Sequence, residues 1–352
     1  MNHAQQAAGI VVMLVATMGA PASAQDQNPA LPEAETIEVY ARTPVGPASG
    51  NADRAVANMQ SLSAEALDAP GQRALGDALQ DLGSVFRTDA TGNPFQPDLF
   101  YRGYSISPLL GLPQGLAVYQ DGVRVNEPFG DTVNFDLIPM IALAGADLVP
   151  GSNPVFGRNA LGGALALRTK TGFDSAGVGL ELSGGEFGRL GGAVEYGVTG
   201  GTTALYVAAE VHEEDGWRDF SHSRAARAFS RGSWRPDADT QLDLSVTGAD
   251  NRLRGNGATP RELIDEEGRD AVFTHPDETQ PKMAFVNLFG SRKLADGLRV
   301  SGSTYFRRNR IKTFNGDGTE FGACEDPANV DGSGAPFLCE EERRPRCCWC
   351  AP

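Results

Sequence analysis

The chain has 352 residues, a formal net charge of −15, 43 Gly and 22 Pro, and only 41% of its residues are hydrophobic. This length allows about two domains, and the many turn-forming residues argue against a helical bundle and favour β structure. The excess of acidic over basic residues argues against a nucleic-acid partner, because phosphates need cations to neutralise them.

Residues 1–24 predict a secretory signal peptide. Residues 7–20 form an apolar segment too short to span a bilayer, and Ala22, Ser23 and Ala24 form a small-residue cleavage site. No charged region precedes the apolar segment, so a buried core helix remains the alternative. After residue 24, no apolar run reaches the length of about 18 residues that a transmembrane helix needs. We therefore expect export without a transmembrane helix.

Residues 25–51 predict a flexible segment, because they are acidic, flanked by prolines and without periodicity. Inside them lies a short β-prone island at residues 36–40. Such an island is suited to pairing with the exposed sheet edge of another protein, although a chance β-prone pentamer is the alternative.

Residues 52–172 predict a compact α+β domain, which is long enough to bury a core. Leu75, Ala78, Leu79 and Leu82 share one helical face that Gly83 would end. The segments 98–105, 115–125 and 162–169 are typical of short strands, and a tight turn is expected inside the second of them at Asp121-Gly122.

Residues 173–340 predict about seven antiparallel strands. Apolar and polar residues alternate near 178–182, 190–198, 205–211, 225–235, 242–247, 284–288 and 298–306. Transmembrane barrel strands and soluble sandwich strands both show this period. The short connections at 199–202, 235–239 and 294–297 alternate with longer polar ones at 212–224 and 250–281, which favours the barrel because its two ends differ in loop length.

Three segments follow one another in an order that identifies a family. They are "ETIEVYA" at 35–41, "LFYRGYS" with "VYQDGVRVNEPFG" at 99–130, and "DLVPGSNPVFGRNALGGALALRTKTG" directly before the alternating strands. Together they resemble the N-terminal part of a TonB-dependent outer-membrane receptor, over residues 1 to about 340. The resemblance implies an α+β plug domain followed by an incomplete antiparallel transmembrane β-barrel, with about seven of about 22 strands.

The resemblance also implies residue roles. The TonB box would be Glu35, Thr36, Ile37, Glu38, Val39, Tyr40 and Ala41. The plug motif would comprise Arg102, Gly103, Asp121, Gly122, Gly157, Gly162 and Gly163. The implied mechanism is uptake of a ferric siderophore or another scarce small-molecule or metal-chelate cargo through the outer membrane of a Gram-negative bacterium. A TonB-type protein would deliver the energy by pulling on residues 35–41.

Cargo contacts are expected only in the loops 91–98, 105–114 and 126–134. The candidate contact residues in these loops are Asn93, Gln96, Ser107, Gln114 and Asn126. No catalytic motif, metal site or cofactor site is expected. His212 lies beside Glu213, Glu214 and Asp215, but a solvated loop explains this cluster better than acid–base chemistry.

Cys324 and Cys339 bracket a polar loop with a spacing that suits a disulfide in an exported protein. Cys347, Cys348 and Cys350 lie in residues 341–352, whose atypical composition suggests a frameshifted tail. Seven strands cannot close a barrel, so we expect a truncated form that does not work alone. A secreted soluble β-rich binding protein and a passive outer-membrane pore remain the alternatives.

Overall fold

A computed structural model describes residues 59–69, 71–72, 74–112 and 114–316, together with the backbone of 321–323 and 338–340. The described chain contains an N-terminal unit that extends to residue 172 and a long antiparallel sheet over residues 177–314, which we call the wall.

The N-terminal unit contains two sheets and two short helices. Its elements are β1 (Gln60–Ser63), α1 (Ala64–Leu67), α2 (Leu75–Leu79), β2 (Val85–Thr88), β3 (Asp98–Tyr101), β4 (Tyr104–Ile106), β5 (Leu116–Gln120), β6 (Val123–Arg124), β7 (Leu143–Pro150) and β8 (Gly163–Thr169). One sheet has the order β1-β7-β8-β5-β6, with β5 and β8 parallel and the other neighbours antiparallel; the second has the order β2-β3-β4. Short 3-10 turns lie at Phe135–Leu137, Met140–Ala142 and Pro154–Phe156.

The predicted helix face forms part of the core between the two sheets. Leu75, Ala78, Leu79 and Leu82 are all buried, beside Leu67 of α1. The helix itself ends at Leu79, earlier than the Gly83 stop signal predicts. The backbone from Gln80 to Leu82 forms i→i+3 hydrogen bonds, which continue the turn in the tighter 3-10 form.

The prediction of one strand over residues 98–105 is wrong. Arg102 and Gly103 both have positive φ, 49° and 85°, and they turn the chain back so that β3 and β4 form a hairpin. Two successive residues with positive φ are the signature of a type I′ turn. The same geometry at Asp121 (φ 47°) and Gly122 (φ 81°) confirms the tight turn predicted between β5 and β6.

The wall consists of seven strands joined in chain order, as predicted. They are β9 (Gly177–Gly184), β10 (Leu190–Gly200), β11 (Thr203–Glu214), β12 (Ser223–Trp234), β13 (Thr240–Arg254), β14 (Glu278–Ala295) and β15 (Leu298–Phe314). Every neighbouring pair is antiparallel. Several strands extend beyond their alternating segments, and β14 reaches 18 residues.

The two faces of the wall have the opposite polarity to those of a sheet in a soluble protein. The outward face carries exposed apolar side chains such as Leu205, Val246 and Phe306. The inward face, which packs on the N-terminal unit, buries polar side chains such as Arg227 and Asp243. A soluble sandwich buries its apolar face, so the described strands do not form one.

The two ends of the wall differ in their connections. Residues 201–202, 235–239 and 296–297 connect strands at one end, which we call the short-turn end. Residues 185–189, 215–222 and 255–277 connect strands at the other, the long-loop end, and the last of these contains α3 (Arg261–Glu267). The predicted sorting of loops is therefore present, although the first connection at the long-loop end has only five residues.

The helices in the described residues are all short, and none is long and apolar enough to cross a membrane. The described backbone also includes β16 (Phe321–Ala323) and β17 (Leu338–Glu340).

Candidate functional site

An open cavity lies among the loops of the N-terminal unit. Its volume is about 560 Å³, and its lining consists of Pro128, Phe129, Gly130, Asp131, Arg158, Asn159 and Leu161. Strand β8 leaves these loops, and the chain that follows it reaches Gly172, which lies against the carbonyl oxygens of Val198 and Leu205 near the short-turn end. The cavity loops therefore lie at the opposite end of the unit, toward the long loops.

Asp131 organises the polar side of this cavity. Its Oδ1 lies 3.3 Å from Arg124 Nη2 and 3.4 Å from Arg158 Nη2, and its Oδ2 accepts a hydrogen bond of 3.3 Å from Asn159 Nδ2. The Arg158 side chain is 72% exposed, and Phe129 is 80% exposed beside it. The cavity thus offers solvent an arginine, an amide and an aromatic ring.

The five predicted cargo contacts are buried, and the hydrogen bonds of four of them fix the loops. Asn93 Nδ2 donates to Ser223 Oγ (2.9 Å) and to the Arg254 carbonyl (2.8 Å), which links its loop to the wall. Gln114 Oε1 accepts from the Ser107 amide, and Ser107 Oγ bonds to Asp98. Asn126 Oδ1 accepts from the Val118 amide. Gln96 is also buried. This burial favours a structural role, and cargo contact by these residues stays a prediction.

Asp121 of the predicted motif connects three elements. Its carboxylate accepts hydrogen bonds from the Thr169 amide (3.0 Å) and the Thr169 hydroxyl (2.7 Å), which fixes the β5–β6 turn to the end of β8. The same carboxylate lies 3.4 Å from Arg231 Nη1 of the wall. Arg231 also pairs with Asp243 at 2.9 Å. The turn predicted from sequence is thus part of the contact between the unit and the wall.

Two glycines of the predicted motif, Gly162 and Gly163, lie where a side chain has no room. A Cβ on Gly162 would lie 2.6 Å from the Tyr104 ring, and Gly163 has a φ of 138° at the start of β8. Gly157 also has positive φ, 74°, where the 3-10 turn ends.

A buried ion pair on the wall, which was not predicted from the sequence, holds the segment 135–142. Glu210 Oε1 lies 2.7 Å from Arg227 Nε, and the two side chains are 3% and 1% exposed. Glu210 also accepts hydrogen bonds from the backbone amides of Met140 (3.1 Å) and Ile141 (3.2 Å). Arg227 donates to the carbonyl oxygens of Asp136 and Ile138. The wall therefore binds this segment through its backbone atoms.

Two further polar contacts cross the same interface. Lys170 Nζ lies 2.9 Å from Glu195 Oε2, and Tyr206 donates to the Ile141 carbonyl (3.1 Å). Farther along the wall, Arg307 Nη2 lies 2.8 Å from Glu127 Oε1. The interface thus combines charge pairs with backbone bonds along most of the wall.

The acidic cluster at the end of β11 is divided by the strand. Glu213 and Asp215 are exposed beside His222, with Asp215 Oδ1 3.1 Å from His222 Nδ1. Glu214 is buried and lies 3.3 Å from Arg189 Nε, and His212 is half-buried with its ring 6.1 Å from that of Phe95. The expectation of a solvated loop is therefore wrong for His212 and Glu214, which lie in β11. Across the described ranges, no three His, Cys, Asp or Glu side chains are grouped to hold a metal ion.

Asp136 should make stability fall as pH rises. Its carboxyl group is buried, and this burial raises its pKa from 3.8 to about 6, against the opposing effects of Asn251 and Arg227. The folded state therefore holds the proton more tightly than the unfolded state. The free energy of unfolding that this pKa shift contributes is fully present below pH 4. It is lost as pH rises through about 6, and the loss amounts to about 3 kcal/mol.

The variant Asp136→Asn should be more stable than the wild type at about pH 8. This difference in the free energy of unfolding should decrease toward about pH 4. Denaturant unfolding at several pH values measures it. Asp265→Asn, on the exposed face of α3, removes the same charge and should leave the pH profile unchanged. If the stability of Asp136→Asn and of the wild type depended on pH in the same way, Asp136 would not have the raised pKa.

Comparison with known proteins identifies the N-terminal unit. Residues 51–164 match the family model described as TonB-dependent Receptor Plug Domain. The chain carries a TonB-dependent receptor plug domain. The resemblance noted in the sequence is thereby confirmed, and the N-terminal unit is called the plug from here on. No curated protein matches the chain significantly.

Solved structures share the fold of the plug and wall together. The unliganded ferric citrate transporter FecA matches with a TM-score of 0.62 at 12% identity, over 75% of this chain and 41% of that one. The open form of the ferric-catecholate import receptor Fiu from E. coli K12 matches with a TM-score of 0.60 at 16% identity, over 79% and 42%. The ferric yersiniabactin uptake receptor FyuA from Yersinia pestis matches with a TM-score of 0.58 at 15% identity, over 74% and 42%. The chain thus spans about two fifths of the length of these structures, and the expected fold of a plug with part of a barrel is confirmed.

Several predicted features lie outside the described residues. These are the signal peptide, the TonB box at 35–41, Cys324, the side chain of Cys339 and the tail at 341–352.

Proposed function

We propose that this chain acts as part of a TonB-dependent uptake receptor in the outer membrane of a Gram-negative bacterium. The observation that carries the proposal is the polarity of the wall. Its outward face is apolar and exposed, and its inward face is polar and bound to a plug domain. An apolar outward face is stable against lipid chains, and a polar inward face suits a lumen. In this arrangement residues 1–24 direct export, and the long-loop end faces outside the cell.

The proposed energy-coupling partner is a TonB-type protein that pairs with residues 35–41. An extended β-prone segment pairs with an exposed sheet edge through backbone hydrogen bonds, and its flanking residues are acidic and rich in proline. Force on this segment reaches the plug through β1, an edge strand that has β7 as its one sheet neighbour among the described strands. Removal of β1 from the sheet requires the loss of four residue pairs, a small part of the plug.

The proposed cargo is a ferric chelate that enters by the Asp131 cavity. FecA, Fiu and FyuA are described as handling ferric citrate, ferric catecholate and ferric yersiniabactin. Arg158 and Asn159 supply donors for chelate oxygens, and Phe129 supplies an apolar surface. Quenching of intrinsic fluorescence by ferric citrate and by ferric catechol complexes measures this binding.

Deletion of residues 35–41 should abolish binding of the full chain to the periplasmic domain of a TonB protein. Isothermal titration calorimetry measures this interaction directly. Deletion of residues 43–49 removes an equal length of the same segment and should leave the affinity within about twofold, because the pairing strand is intact. Equal binding by both deletions would contradict the role of the box and would favour a passive pore.

A further inference from the structure

The outward face of the wall carries a cationic patch at its long-loop end. We use this name for Arg224, Arg252, Lys282, Arg308, Arg310 and Lys312. All six residues are exposed, and they lie on the last four strands of the wall. Their concentration runs against the formal net charge of −15 for the whole chain.

The strand register places cations directly opposite one another. Lys282 of β14 pairs with Arg310 of β15, and Arg224 of β12 pairs with Arg252 of β13. Like charges directly opposite each other across antiparallel strands destabilise the sheet. Two such pairs on one surface therefore point to an anion that lies against them.

Carboxylates within the patch neutralise only part of this charge. Asp250 lies 2.7 Å from Lys282, and Glu278 lies 2.7 Å from Arg252. Within the described ranges, Arg308, Arg310 and Lys312 have no carboxylate at ion-pair distance. These three residues follow one another at alternate positions on β15, so they form a single column of positive charge.

An apolar surface borders the patch toward the short-turn end. Val246, Val286 and Phe306 are paired across β13, β14 and β15, and the next outward residue of β15 after Phe306 is Arg308. Acyl chains pack against such an apolar row, and the anionic headgroup of the same molecule then reaches the column of cations. An anion without acyl chains would use only half of this surface.

We propose that the cationic patch binds the phosphate groups of a phosphorylated glycolipid headgroup in the outer leaflet. This inference rests on the proposed membrane location of the wall, with its long-loop end outward. The lipid phosphates offset the repulsion between Lys282 and Arg310, and bound lipid fixes the depth of the wall in the membrane. The cargo cavity and the TonB box take no part in this interaction.

The test makes two measurements on the full chain. The first is its association with phosphatidylcholine vesicles, and the second is a titration with diphosphorylated lipid A in a zwitterionic detergent. Arg308→Gln, Arg310→Gln and Lys312→Gln in one variant should weaken lipid A binding about a hundredfold, from the contribution of three cations near an anionic surface. A control variant with Arg261→Gln, Arg269→Gln and Arg292→Gln loses the same charge at exposed positions outside the patch and should bind like the wild type.

Each outcome separates the two proposals. Failure of the wild type to associate with phosphatidylcholine vesicles contradicts the membrane location itself, because those vesicles test only the apolar face. Vesicle association combined with equal lipid A binding by the patch variant, or with equal binding of dephosphorylated lipid A, overturns the headgroup inference alone. Competition by inorganic phosphate that matches lipid A in strength overturns the lipid as the source of the anion.

Discussion

Replacement of Glu210 by alanine is expected to destabilise the plug–wall interface by about 3–5 kcal/mol, because it leaves a buried arginine without its carboxylate. Arg227 is 1% exposed, so water cannot replace the lost partner. The backbone amides of Met140 and Ile141 lose their acceptor at the same time. A buried amide without a partner costs about 1–3 kcal/mol, although these costs do not add fully. The free energy of unfolding of the full chain in detergent measures the effect.

Matched variants distinguish the ion pair from a general loss of charge. Glu213→Ala removes a carboxylate from the same strand, but Glu213 is 48% exposed on the outward face, so its cost should stay within about 0.5 kcal/mol. Removal of both charges in Glu210→Ala with Arg227→Leu should cost less than the sum of the single changes, because no unpaired buried charge remains. A cost for Glu210→Ala no larger than that for Glu213→Ala would show that the pair does not hold the segment 135–142.

The strands of the wall were predictable because successive side chains of a membrane strand point to opposite faces, and each face has one polarity. Leu205, Val207, Ala209 and Val211 are one set of this kind, and β11 contains all four on its outward face. The strand β7 escaped prediction because both of its faces are buried, so its residues show no alternation. The β3–β4 hairpin escaped because Arg102, unlike Gly103, carries no sequence signal for positive φ.

The polar interface was harder to predict than the strands. Glu210 and the segment it binds are separated by about 70 residues, and no local pattern connects them. One signal was nevertheless present. Ala204, Tyr206, Ala208 and Glu210 alternate with the apolar outward set, so Glu210 had to point inward once the outward set was assigned to lipid. The identity of its backbone partners depends on the placement of the plug, which the sequence pattern alone does not determine.

Gly163→Val is expected to destabilise the plug by more than about 3 kcal/mol, through backbone strain and overpacking together. Gly163 has a φ of 138°, a conformation that β-branched residues do not adopt, and a Cβ there would collide with the carbonyl oxygen of Val149. The colliding atoms belong to the backbone of β7, which pairs with β8 at Pro150 and Gly163. No side chain can rotate to relieve this collision, so the register between β7 and β8 must break. Denaturant unfolding of the full chain, or protection of the plug from protease, measures the loss.

Other glycines of the same chain provide the controls. A Cβ on Gly302 in β15 would meet no atom within 4 Å, and Gly302→Val should be neutral or slightly stabilising, because valine favours strands. Gly162→Val should have an intermediate cost, since the clash at this position is with the side chain of Tyr104, which is 37% exposed, and not with backbone atoms. A loss of stability that decreases in the order Gly163→Val, Gly162→Val, Gly302→Val would show that the start of β8 needs glycine for backbone geometry. Equal stability of Gly163→Val and Gly302→Val would show that the junction between the cavity loops and β8 tolerates side chains, and the glycine-rich segment would then need another explanation.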